Sequence, residues 1–169
     1  GSKIIQLFNN KSKGKQIHTT LDSFISWEVI LNTLSYSLDL IKIAIKLRKM
    51  SPKNLNEEFY LWPFIEIELK ECLYGPTALN NLLYFNLFKK TIELLPNQSK
   101  GFFLQENQGW EFGLIQSWKS AGHGQLIGVP HSTIRYWDLR YFFDKRLFSG
   151  DSSNQIPRPD KIAVNGKVA

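Results

Sequence analysis

Between Gly101 and Pro130 the chain spells out a short apolar run, an amphipathic segment and a second short apolar run. The first run is GFFLQ at 101–105. Gln108 to Ala121 then places Leu114, Ile115 and Trp118 on one side, at helical spacing. Gly122-His123-Gly124 ends that segment, as glycine does after the last helical turn. QLIGVP comes next at 125–130 and closes on a proline. An intervening helix carries the chain back to the end where the first strand began. The two strands are therefore expected to be parallel, joined by a right-handed crossover. A third run, KIAVNG at 161–166, comes after the turn IPRPD, and its strand is expected over about 161–164. This grammar selects an α/β fold class with a parallel sheet.

The residues before Lys100 read differently. Phe24, Trp27, Leu31, Leu34, Leu38, Ile41 and Ile45 step by three and four, predicting a helix from Phe24 to about Met50, where Ser51-Pro52 stops it. Asp39, Lys42, Lys46 and Lys49 fall off the stripe, so it is expected to face the core of a globular domain. A Lys-rich helix with a wide apolar face also fits a membrane surface. Residues 57–72 predict a second helix with Pro63 near its start, and Gly75-Pro76 breaks it. Residues 77–95 predict a third, carrying Leu79, Leu82, Leu83, Leu87, Phe88, Ile92 and Leu95 and ended by Pro96-Asn97. Upstream, IIQLF has the look of a short strand and NNKSKGK that of a loop. Gly1-Ser2 reads as a cloning scar. The expected organisation is a mainly helical part over 3–100 and a βαβ part over 101–169, forming one domain. The chain stops where the next helix of the alternation would begin, so a truncated C-terminal end is expected.

There are 21 Lys and Arg against 15 Asp and Glu, a net charge of +6. The excess is concentrated in residues 1–56, with nine basic and three acidic side chains, whereas 101–169 carries eight and six. A basic N-terminal part favours an anionic partner or is simply a solvated face. The near balance of charge over 101–169, which holds the aromatic-rich segment 134–146, argues against nucleic acid. A single cysteine, Cys72, excludes an internal disulfide and a Cys-based zinc site, and its neighbours Leu69 and Leu73 suggest a buried thiol. His18, His123 and His131 are too dispersed for a metal motif, so no metal is expected. GxGxxG, GxxxxGK[ST] and GxSxG are all missing from the sequence, which removes the usual support for dinucleotide binding, P-loop chemistry and a serine-hydrolase elbow. With no secretory signal or spanning run, a cytoplasmic location is expected.

Ligands of open α/β sheets bind at the carboxyl ends of the strands. The first strand delivers Glu106, Asn107 and Gln108, the second His131, Ser132 and Thr133, and the third Asn165. If the first two strands are neighbours, Glu106 and His131 share one edge, where a carboxylate and an imidazole suit proton transfer. Each has a structural alternative. Asn107 is a good helix N-cap, Glu111 complements the helix dipole, His131 can serve a turn, and Ser132 and Thr133 can cap the segment beginning at Ile134. Arg135 and Arg140 suit phosphate or carboxylate, or they pair with Asp138 or Asp144.

QENQGWE at 105–111, IGVPHSTIRYWDLRYFFD at 127–144 and PRPDKIAVNGKVA at 157–169 resemble, in that order, the bacterial surface carbohydrate biosynthesis protein family. These are glycosyltransferase-like proteins of O-antigen, lipopolysaccharide and capsule pathways. The resemblance covers 101–169 well and 20–100 weakly. It implies a Rossmann-like three-layer domain that forms the N-terminal, acceptor-side half of a GT-B-type transferase. It further implies a partner C-terminal domain carrying an activated sugar donor, with no other cofactor. The acceptor would be a saccharide or lipid-linked saccharide, with peripheral contact to the inner membrane. Glu106 and His131 would be the catalytic candidates. Asn107, Gln108, Ser132, Thr133, Arg135, Arg140 and Asn165 would be the substrate-binding ones. The isolated fragment would be inactive. A non-catalytic α/β binding or protein-interaction domain is the alternative.

Overall fold

The computed structural model describes residues 2–12, 16–49, 62–132, 134, 141, 143–148 and 155–164. The order is α1 (Ser2–Lys11), a 3-10 turn (Leu21–Phe24), α2 (Trp27–Lys49), α3 (Trp62–Tyr74) and α4 (Pro76–Glu93). Then come β1 (Lys100–Gln105), α5 (Gly109–Ser120), β2 (Gln125–Pro130), a further 3-10 turn (Lys145–Phe148) and β3 (Lys161–Ile162). The three strands form one parallel sheet in the order β1-β2-β3. The protein is thus mixed α/β, with helices dominating its first hundred residues.

The βαβ unit adheres closely to its sequence pattern. Lys100 to Gln105 pair in step with Gln125 to Pro130. Gly101, Phe103 and Gln105 point toward α5, as do Leu126 and Gly128. A Cβ on Gly101 would lie 2.6 Å from the Trp118 ring, so glycine makes room for the indole. Phe88, Ile92, Phe103, Ile115, Trp118 and Leu126 then form the buried core shared by sheet, α5 and α4. The Trp118 indole donates to the Gly124 carbonyl at 2.7 Å. His123 Nδ1 accepts the Gln98 N–H at 3.2 Å, and its Nε2 meets the Ile92 carbonyl at 3.1 Å. That side chain ties the end of α4 to the entrance of the sheet. Gly122, at φ 71°, supplies the left-handed turn after α5.

Alternate residues of β1 and β2 face α5. The opposite face carries Phe102 and Leu104, which are 66% and 49% exposed. The second helical layer of a three-layer arrangement is not found among the described residues.

Three expectations for the helical part fail. IIQLF is not a strand but the middle of α1, whose Asn9 side chain clips the backbone of His18 at 2.6 and 3.0 Å. The stripe of α2 does not face the core. Trp27, Leu31, Leu34, Leu38, Ile41 and Ile45 are all exposed, and the helix buries Val29 and Thr33 instead. The reason is how α2 meets α4. Asn86 of α4 donates to the Thr33 hydroxyl at 3.1 Å, and Thr33 donates to the Val29 carbonyl at 2.7 Å. Tyr36 meets the Phe85 ring at 6.1 Å, and Glu28 holds Lys90 at 2.6 Å. These pairs run antiparallel along the two helices, and the polar pair between them is satisfied. Cys72 is exposed rather than buried. Leu69 and Leu73 take the half-buried side of α3, and Cys72 lies roughly 100° round the helix from Leu73.

Candidate functional site

The exits of β1 and β2 decide which side chains can meet. Because Gln105 pairs with Pro130, the next residues on the two strands are also neighbours. The His131 N–H extends the ladder by donating to the Gln105 carbonyl at 3.2 Å. Glu106 and His131 therefore come together, with Glu106 Oε1 lying 3.5 Å from His131 Nδ1. The carboxylate is half-buried and the imidazole largely exposed, so the pair is weak as a stabilising contact and accessible as a chemical one.

The turn that presents Glu106 is held from below. Glu111 is buried in the first turn of α5, and its Oε1 accepts the Glu106 N–H at 2.7 Å and the Gln108 N–H at 3.0 Å. One carboxylate thus closes the start of the helix and pins the strand exit. Asn107 does not cap α5: Gln108 occupies that position, and Asn107 sits at φ 58°. Asparagine tolerates this left-handed conformation better than most residues, and the chain needs it to turn from β1 into α5. The Asn107 side chain turns back to accept from the Gln105 amide at 3.1 Å. Gln105 is itself buried, its side-chain oxygen Oε1 packed on Gly128 where any side chain would collide with it.

Beside this turn lies a cavity of about 650 Å³ between α5 and the segment leading into β3. Gln105, Asn107, Lys119, Tyr141, Arg158 and Asp160 contribute polar groups to its wall. Its size is ordinary for a small-molecule site. Asp160 anchors that wall, accepting the Leu126 N–H at 2.7 Å and standing 3.5 Å from Lys119.

The site residues expected from sequence are thus divided. Glu106 and His131 converge on the sheet edge, but neither lines the cavity. Asn107 does line it. Gln108 serves as the helix cap, and Ser132 is exposed beside His131. Thr133, Arg135, Arg140 and Asn165 lie outside the described residues, as does Asp138. Asp144, a proposed arginine partner, is taken by Arg146, whose guanidinium meets it at 2.7 and 2.9 Å and holds its carboxyl below the usual range. Sequence reading missed Gln105, Lys119, Tyr141 and Arg158 as cavity residues. For Gln105 a signal existed, since a polar side chain two positions after Phe103 in a buried strand needs a reason. For Arg158 none did, because a PRPD turn does not say which surface it covers. No protein-family model, curated protein or solved structure matches the chain.

Proposed function

We propose that this chain is the acceptor-side part of a bacterial glycosyltransferase of surface polysaccharide biosynthesis, Rossmann-like in fold and GT-B in overall plan. The observation that carries the reading is the meeting of Glu106 and His131 at the carboxyl ends of two adjacent parallel strands. The resemblance of 101–169 to the surface carbohydrate biosynthesis family supports it from an independent side. Glu106 faces Nδ1 of the imidazole, which leaves Nε2 for the acceptor. In the proposed reaction an acceptor hydroxyl oxygen attacks the anomeric carbon of an activated sugar. The bond from that carbon to the leaving phosphate breaks, and the hydroxyl proton passes to His131 Nε2. Glu106 orients the ring and offsets the charge it gains. The donor is expected on a further domain, and the neighbouring cavity suits a saccharide held by amides and cations.

The test is transfer of labelled sugar from a panel of nucleotide sugars to lipid-linked saccharide acceptors by the full-length protein. His131→Ala is expected to lower turnover by roughly 10²–10⁴-fold, with Glu106→Gln somewhat less affected. Undiminished turnover in both variants removes the pair from the chemistry. Absence of transfer with every donor class leaves the binding-domain reading in its place.

A further inference from the structure

The apolar stripe of α2 is a surface without a partner among the described residues. Its spacing says what kind of partner fits. Trp27, Leu31, Leu34, Leu38, Ile41 and Ile45 are separated by intervals of four, three, four, three and four, an uninterrupted heptad pattern. Each is between 38% and 79% exposed. A strict 3.5-residue repeat makes a narrow seam suited to another helix, in contrast to the broader face of a helix lying on lipid. The seam runs for about 27 Å along the helix, long enough for a continuous set of interlocking side chains.

From this spacing and the flanking charges, we infer that α2 is a self-association surface, pairing with α2 of a second copy in antiparallel orientation. Antiparallel pairing about a two-fold axis near Tyr36 stacks Trp27 on Ile45, Leu31 on Ile41 and Leu34 on Leu38 of the copy. The residues flanking the seam then match. Glu28 on one side faces Lys42 of the copy, and Ser35 faces its own equivalent. On the other side Ile30 faces Ala44, and Ser37 faces itself. Glu28 and Lys42 are both exposed, paired within their own chain to Lys90 and Asp39, so the contact extends two existing ion pairs into a network. Parallel pairing has no such match. It sets the basic end containing Lys42 and Lys46 against itself. The same patch on both partners closes the assembly at two copies.

The expected result is a concentration-dependent monomer–dimer equilibrium of the whole chain in analytical ultracentrifugation. Leu34→Asp with Leu38→Asp raises the dissociation constant at least ~100-fold, because two central anchors are lost from a desolvated seam. Circular dichroism and the unfolding midpoint show that the variant remains folded, as expected for side chains exposed in the monomer. Glu28→Lys and Lys42→Glu each weaken the dimer, and the double swap restores it. Spin labels at Lys46→Cys, in a Cys72→Ser background, lie roughly 30 Å apart in the antiparallel pair. A label separation under about 15 Å indicates parallel packing and overturns the orientation. A chain that stays monomeric at all concentrations overturns the proposal. So does a dimer insensitive to the Leu34/Leu38 change, or a monomer that binds phosphatidylglycerol vesicles through these same leucines. The inference does not depend on the carbohydrate reading.

Discussion

The β1–α5–β2 unit and α2 are both rich in large apolar side chains, yet one turns them inward and the other outward. In the βαβ unit the apolar positions that face α5 have geometric counterparts, while Phe102 and Leu104 on the other face of the sheet are exposed. Gly101 makes space for Trp118, Phe103 and Leu126 meet Ile115, and Glu111 closes the turn. In α2 the apolar stripe lies opposite the face that docks on α4, and the docking is done by Val29, Thr33 and Tyr36 with a buried asparagine from α4. Apolar periodicity finds a helix and its faces. It does not say which face is covered when a second face offers ring contact and a satisfied polar pair.

The largest expected effect tests that contrast directly. Trp118→Ala removes a buried indole and its hydrogen bond to Gly124, and should cost about 3–5 kcal/mol. Leu38→Ala in α2, measured at a concentration where the chain is monomeric, should change stability by less than ~0.5 kcal/mol. Urea unfolding midpoints of the two variants decide it, and equal losses would erase the distinction between the two regions. Next in size, Gly101→Val drives a branched side chain into the Trp118 ring and should destabilise by roughly 2–3 kcal/mol. Its near-ultraviolet circular dichroism should show the indole displaced.

Glu111→Ala leaves the Glu106 and Gln108 N–H groups without their acceptor and should cost about 2 kcal/mol. Because these N–H groups belong to the turn that presents Glu106, faster amide exchange at 106 and 108 is expected along with the loss. An unchanged exchange rate would mean the carboxylate is not what holds the site. The smallest effect belongs to α2. The Lys90 ammonium hydrogen-bonded to Glu28 holds the Glu28 carboxyl below its ordinary range. Stability from the pair is therefore present above the unfolded carboxyl value and disappears as pH falls through the folded one. Wild type and Glu28→Gln should differ slightly near neutral pH and converge in acid. A difference that grows on acidification contradicts this assignment.

Much of the site was legible because parallel register is a counting rule. Once 101–105 and 125–130 are paired strands, Glu106 and His131 must leave the sheet side by side, and the structure places them 3.5 Å apart. The cap alternative for Asn107 fails because capping propensity and tolerance of left-handed backbone favour the same residue type. Here the second property is used and Gln108 takes the cap. Lys119 and Arg158 could not be read as neighbours of one cavity, since they come from a helix and a distant turn that only packing brings together.

By itself the sequence determined the helical first half, the parallel βαβ unit, the breaks at glycine and proline, and that Glu106 and His131 meet if the first two strands are neighbours. These arise from local periodicity, turn chemistry and the handedness of the crossover, which act over a few residues. Only the tertiary structure decided that α2 docks by Val29 and Thr33, that Glu111 pins the turn carrying Glu106, and that a cavity opens between α5 and the approach to β3. Those outcomes depend on which of several apolar faces can close on another element while satisfying its buried polar groups. That competition between long-range contacts leaves no trace in any single stretch of the chain.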